Sequence, residues 1–229
     1  MQTHRNGEGT DDMEIIRIAI EFLIAFIIVG RILKRFFHFP APPYVRHFLD
    51  SRLRKWMQPA SLLIARSAIK KGSTVLEIGC GSGAYTLDIA RAVGKDGIVY
   101  ALDIQQSMLN HVNEKLSKEE NKDIGNVKLL LGNANALSFE DQTMDNISMI
   151  TVLQEIPDKH NALIEAGRVL KQDGRLAVTE LFVDPDYRSR KTTTRQVTEA
   201  GFEVEADEGN LFNYTIRFKK ASHSNPDAQ

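Results

Sequence analysis

An α/β fold is the architecture this sequence predicts: a Rossmann-like seven-stranded sheet, mostly parallel, with a C-terminal antiparallel hairpin and a preceding N-terminal hydrophobic helix. Three observations lead there. The stretch "VLEIGCGSGAYTLDIA" at 75–90, followed by "GIVYALDI", reads as strand, glycine turn, helix and second strand. Short apolar runs then alternate with helical patterns as far as about residue 200, and such alternation builds parallel strands joined by crossovers. Finally, strand patterns near 202–208 and 213–219 are joined through Gly209 and Asn210, a connection short enough for an antiparallel hairpin.

Residues 1–12 carry no apolar run and are predicted to be a disordered tail. Residues 13–37 are predicted to form a hydrophobic membrane-anchor helix. Its run from Ile15 to Leu33 is 19 residues long, about the length that crosses a bilayer core of roughly 30 Å. Arg17 and Glu21 interrupt it, but at i, i+4 they can pair on one face. Asp11 and Asp12 precede the run and Arg31, Lys34 and Arg35 follow it, so the positive-inside rule puts the following domain in the cytoplasm. A single span, an interfacial helix and a soluble cap helix all remain open, with membrane contact favoured.

Residues 38–70 form an aromatic and basic cap segment. Phe39 and Trp56, with Arg46, Arg52, Arg54 and Lys55, suit a membrane–water interface, while a linker plus a helix capping the sheet is the plainer reading. Residues 71–220 form the main domain. Strands are expected near 74–78, 97–103, 126–131, 145–151 and 174–180, with helices near 84–93, 106–118, 159–170 and 190–200, ahead of the hairpin. Residues 221–229 read as a second disordered tail.

Composition narrows the function. A chain of 229 residues, 42% hydrophobic, supports one sizeable core but not the separate substrate domain that a nicotinamide-dependent dehydrogenase normally needs. A net charge of −1, with no aromatic-basic stripe in the main domain, argues against a nucleic-acid substrate. The single cysteine, Cys80, excludes an intramolecular disulfide, and no Cys or His partners sit at zinc spacing, so no metal site is expected. Cys80 itself reads as packing beneath the glycine turn rather than as a nucleophile.

Gly79, Gly81 and Gly83 occupy alternate positions where the first strand hands over to the helix, leaving backbone that a ligand can approach closely. Asp103 closes the second strand, where a carboxylate accepts hydrogen bonds from both hydroxyls of an unphosphorylated ribose. Glu77 decides between nucleotides. A carboxylate at the tip of the first strand repels a pyrophosphate but suits the sulfonium and ammonium groups of S-adenosyl-L-methionine.

The segment "EIGCGSG" resembles the E-x-G-x-G-x-G signature of class I S-adenosylmethionine-dependent methyltransferases. The resemblance continues through "ALDIQQSML", "LLLGNANALSFEDQTMDNISMI", "RVLKQDGRLAVTE" and "GFEVEADEGNLFNYTIRFKK", covering roughly residues 60–220. It implies that Glu77, Gly79, Gly81 and Gly83 cradle the methionine half of the cofactor. Asp103 would take the ribose, Ile104 one adenine face, and Asn133 and Ala134 the adenine edge. Where the family usually carries Asp, this chain has Asn133, which accepts a hydrogen bond but also brings a donor. The terminal hairpin is likewise the methyltransferase arrangement by resemblance.

Methyl transfer from a sulfonium is an in-line displacement in which much of the rate comes from alignment, so no catalytic residue is singled out. The acceptor should enter at the carboxyl ends of the strands. Candidate contacts there are Glu155, Tyr187 and Tyr214, with Gln154, Asp158, Glu180 and Asp184 nearby and Tyr44 and His47 reaching over from the cap. Glu155 and His47 are the candidate general bases if the acceptor must lose a proton, although each also reads as an ordinary surface residue. The sequence thus predicts a methyltransferase at the cytoplasmic side of a membrane, acting on a lipid, quinone-like or other small molecule. A soluble metabolite or a protein is the alternative acceptor. A non-catalytic membrane scaffold that retains the cofactor fold is the rival from another class.

Overall fold

The computed structural model describes residues 14, 17, 18, 21, 25 and 29 and the continuous stretch 52–222. The predicted disordered tails, most of the hydrophobic helix and the first part of the cap, including Tyr44 and His47, lie outside the described residues. Among the described residues no helix is long and apolar enough to cross a membrane.

Seven strands form one sheet: β1 (Thr74–Ile78), β2 (Ile98–Asp103), β3 (Val127–Leu131), β4 (Met144–Ile150), β5 (Leu170–Leu181), β6 (Phe202–Gly209) and β7 (Asn213–Lys220). Their order is β3-β2-β1-β4-β5-β7-β6. The first five run parallel, whereas β7 lies antiparallel to both β5 and β6. The chain winds outward from β1 in both directions, so a topological switch point falls between β1 and β4, where open α/β sheets bind their ligands.

The helices are α1 (Arg52–Met57), α2 (Ala60–Arg66), α3 (Thr86–Val93), α4 (Gln106–Leu116), α5 (Lys159–Val169) and α6 (Arg190–Glu199). Alternation along β1 divides the core. Val75 packs with Leu63, Ile89 and Val93 from α2 and α3, whereas Leu76 and Ile78 join Leu163, Ala166 and Val197 from α5 and α6. Glu77 therefore shares the α3 face with Val75, and that parity turns its carboxylate toward the helix after the glycine turn.

The predicted elements recur with two shifts at their starts. Helix α3 begins at Thr86 rather than near 84, because the turn ends at Gly83 with a positive φ and Tyr85, at φ −123°, serves as the helix N-cap. Strand β5 begins at Leu170, four residues before the predicted 174. Leu170 already pairs with Met144, and an irregularity between Met144 and Asn146 lets the ladder continue through "KQDG", which reads as a turn in isolation. The cap also packs into the main domain. Leu63 is 1% exposed within the core, and Asn146 donates to the Ser67 carbonyl at 2.7 Å.

Candidate active site

The glycine turn sits at the carboxyl tip of β1 and is fixed from β2. The amides of Gly79 and Cys80 both donate to the Leu102 carbonyl, at 2.8 and 3.0 Å. Gly79 has φ +68°, and a Cβ there would lie 2.2 Å from Cγ2 of Val152, so the start of the loop after β4 abuts bare backbone. Gly81 differs. Its φ is +54°, a Cβ would meet nothing within 4 Å, and its amide donates to Oδ2 of Asp103 at 2.8 Å.

Asp103 is 7% exposed, and its second oxygen accepts the Gln105 amide at 2.9 Å. Burial pushes its carboxyl above the usual range, while backbone donors from Gln105 and Gly81 pull the other way. Each carboxylate oxygen retains a further acceptor site beyond its backbone bond. Glu77 is 2% exposed, and Oε2 accepts the Thr86 hydroxyl at 2.5 Å. Burial, reinforced by Asp103 and Asp88 against the pull of Thr86, raises it to about 7. A cation at this turn would therefore draw Glu77 toward its charged form.

The Gly132 amide donates to the Asp103 carbonyl at 3.0 Å, bringing the loop after β3 beside the tip of β2. Asn133 on that loop is exposed and its Oδ1 accepts the Asn135 amide at 3.0 Å, whereas Ala134 is buried. The Asn135 Oδ1 atom is buried without a hydrogen-bond partner. Ile104, immediately after Asp103, is 64% exposed, an apolar side chain at the mouth of the turn. The eight residues expected to meet the cofactor thus fall on three adjacent segments, the ends of β1 and β2 and the loop after β3.

The cap contributes residues that sequence reasoning did not place there. Arg54 of α1 is 4% exposed; it donates to Oγ1 of Thr151 at 2.7 Å and stands 5.9 Å from the ring centroid of Tyr85. The Tyr85 hydroxyl reaches back to Gln58, bonding its backbone carbonyl at 3.1 Å and its side chain at 2.9 Å. Helix α1 is thereby tied to both the glycine turn and the end of β4. Arg54 and Thr151 are 97 positions apart, and no local pattern announces such a pair.

Beyond β4 and β5 lies a polar and aromatic edge. Glu155 is exposed at the end of a 3-10 turn (Leu153–Glu155), and neighbouring Gln154 donates to Gln196 at 3.0 Å. Tyr187 donates to the Leu211 carbonyl at 2.8 Å, and its ring meets Phe182 and Tyr214 with centroids 5.3 and 5.9 Å apart. Tyr214 is fully buried, with its hydroxyl 2.9 Å from that of Thr193 and 2.7 Å from the Arg188 carbonyl. Glu180, opposite Tyr214 in the β5–β7 ladder, is 1% exposed and held well above the usual carboxylate range by burial and then by Asp184 and Asp186. The pattern-based reading noted Glu180 and Asp184 individually but missed how they cluster with Asp186.

A separate cavity of about 320 Å³ opens at the amino ends of β1, β4 and β5, lined by Ser73, Asp145, Asn146, Arg175, Glu205 and Arg217. It lies across the sheet from the glycine turn. In open α/β sheets ligands bind outside the carboxyl ends of the strands, so the turn remains the candidate active site.

Comparison with known proteins agrees with this geometry. The model of a family described as the ubiE/COQ5 methyltransferase family matches residues 51–195. A ubiquinone/menaquinone biosynthesis C-methyltransferase UbiE from Marinomonas sp. (strain MWYL1) is 41% identical over 117 residues, 51% of this chain and 46% of the relative. A demethylmenaquinone methyltransferase from Geobacillus sp. (strain WCH70) is 36% identical over 126 residues, 55% of this chain and 51% of the relative. The chain thus spans about half the length of these curated relatives. Among solved structures, a SAM-dependent methyltransferase from Aquifex aeolicus superposes with a TM-score of 0.73 at 25% identity, covering 80% of this chain and all of that one.

Proposed function

Because the chain belongs to the ubiE/COQ5 methyltransferase family, we propose that it transfers the methyl group of S-adenosyl-L-methionine to a ring carbon of a quinol-like small molecule at a membrane surface. One relationship carries the cofactor half of this reading. At the switch point of the sheet, Asp103 is bonded to the amide of Gly81, a glycine above which a Cβ would meet open space. The chemistry of the donor set fits a cationic nucleoside: carboxylates at Glu77 and Asp103, an exposed apolar surface at Ile104 and a buried unpaired acceptor at Asn135.

In this reading Glu77, Gly79, Gly81 and Gly83 hold the methionine half, Asp103 the ribose, Ile104 one adenine face, and Asn133 and Ala134 the adenine edge. When bound, S-adenosyl-L-methionine supplies an electrophilic methyl carbon on a positively charged sulfur. Glu77, close to its midpoint at neutral pH, would release its proton to solvent and balance that charge. Arg54 and Gln58, anchored on Thr151 and Tyr85, cover the turn and limit the entry of water.

A quinol becomes nucleophilic at carbon when a ring hydroxyl loses its proton, and the attacked carbon then loses its own. Glu155, exposed at the carboxyl edge, is the described candidate to accept such a proton, and His47 of the cap is the other. The rings of Phe182, Tyr187 and Phe212 offer an apolar wall for an aromatic acceptor. The acceptor class is supported by the relatives, a ubiquinone/menaquinone biosynthesis C-methyltransferase and a demethylmenaquinone methyltransferase.

Membrane apposition is part of the same proposal, with the main domain on the cytoplasmic side. The apolar run from Ile15 to Leu33 supports it, as does the exposure of Ile18 and Val29. The test is to incubate the purified chain with methyl-labelled S-adenosyl-L-methionine and demethylmenaquinol in vesicles. Label on the quinone carbon is expected. Label found only on soluble metabolites or protein after adding a cell extract would overturn the acceptor, and saturable cofactor binding with no transfer to any fraction would favour a scaffold.

A further inference from the structure

We propose that the loops after β4 and β5 hold a hard divalent cation, of the Mg2+ or Mn2+ class, through the carboxylates of Glu155, Asp184 and Asp186. Each offers one oxygen, and the three oxygens lie within 4.8 Å of one another. Oxygens sharing one such cation stand about 3 to 5 Å apart, as metal–oxygen distances of roughly 2.0–2.6 Å require. Three carboxylates converge there from two separate segments, the 3-10 turn beyond β4 and the loop following β5. At this range their mutual repulsion favours a bound positive charge.

A second observation stands apart from the trio. Glu180 is 1% exposed on β5, and its Oε1 atom is buried with no hydrogen-bond partner. Among charged groups, Asp184 and Asp186 act on Glu180 most strongly, so its carboxyl, which also bonds Gln154, lies beside the cluster. A buried, unpaired oxygen is costly, and a cation or one of its water ligands would satisfy it. Arg188 acts on Glu180 from the same loop, and Lys159 feels both Arg188 and Asp186. Those two cations offset part of the negative charge of the cluster. The trio has other polar neighbours as well, which a metal would join or displace.

The ligand type selects the metal. An all-carboxylate set suits Mg2+ or Mn2+ rather than Zn2+, which prefers nitrogen and sulfur. Glu155 is exposed and the two aspartates are half-buried, so the site opens outward. Three protein oxygens leave about three of six octahedral positions for water or for acceptor oxygens. This role rests on the proposed quinol acceptor, whose hydroxyl would occupy an open position and lose its proton more readily, with Glu155 then a metal ligand and His47 left as the candidate base.

Titration of the full chain with Mn2+, followed by electron paramagnetic resonance, tests the site without any methyl acceptor. One saturable site per chain is expected, weakened at least tenfold by Asp184→Asn with Asp186→Asn. Should that double variant fail to fold, Glu155→Gln at the exposed position serves instead, with the same direction expected. Absence of saturable binding, or equal affinity in a folded variant, overturns the proposal. The acceptor reading is judged separately: Mn2+ binding without quinol methylation sinks the acceptor and leaves the cation. Methylation undiminished by a chelator in a protein that does not bind Mn2+ does the reverse.

Discussion

Asp103 Oδ2 accepts the amide of Gly81 at 2.8 Å, so the carboxylate at the tip of β2 props the glycine turn at the tip of β1. The bond couples pocket shape to the residue expected to meet the ribose. Asp103→Ala removes an acceptor from the Gly81 and Gln105 amides, costing about 1–3 kcal/mol of stability, and should weaken cofactor binding by roughly tenfold or more. Asp103→Asn keeps an acceptor and should recover most of the stability but little of the affinity. Thermal unfolding with and without S-adenosyl-L-methionine separates the two effects, and unchanged affinity in either variant would sink the proposed pocket.

Gly79 and Gly81 should fail in different ways. Alanine at Gly79 drives a Cβ against Val152 at 2.2 Å with φ at +68°, an overpacking and backbone cost of about 2–4 kcal/mol. Alanine at Gly81 enters open space and costs roughly 1 kcal/mol for its φ, yet it places a methyl group where the cofactor is proposed to lie. A lower melting temperature for the first and an intact fold with lost binding for the second are the expected results.

The carboxyl of Glu77 should leave a mark on the pH dependence of stability. Burial raises it from an ordinary 4.5 to about 7, so between those values the native state keeps a proton that the unfolded chain has released. Its contribution is complete below pH 4.5 and is lost as pH rises through 7. Glu77→Gln should therefore flatten that part of the profile, gaining up to about 3 kcal/mol over the parent at pH 8 while binding the cofactor more weakly. Equal pH slopes for parent and variant would remove Glu77 as the cause.

Deleting residues 1–35 should release the protein from membranes while leaving the sheet and its cofactor affinity in place. Sedimentation with vesicles, paired with a binding measurement, checks both halves. A shortened chain that still pellets would move the membrane contact into the cap.

Much of this arrangement was legible in the residue order because its causes are local. The run "TVLEI" and the spacing of Gly79, Gly81 and Gly83 fix a strand and a turn within ten residues, and the brief gap between Gly209 and Asn213 forces β6 and β7 together. Glu77 and Asp103 were found because each lies at a strand tip. Other features arise only from tertiary contact. The long reach of Arg54 to Thr151 and the grip of Gln58 on Tyr85 join segments that no short window contains. The early start of β5 hides behind an irregular pairing with Met144, and the meeting of Glu155 with Asp184 and Asp186 requires two loops to arrive at one edge.

The sole thiol of the chain lies inside the glycine turn, where Cys80 is 5% exposed and burial pushes its ionisation far upward. Alkylation therefore requires the turn to lift off β2 and the sulfur to meet solvent, and no second cysteine adds background. The labelling rate becomes an intrinsic stopwatch for local opening, readable by mass spectrometry without engineering a probe. Any ligand that seats on Gly81 should slow it in proportion to occupancy.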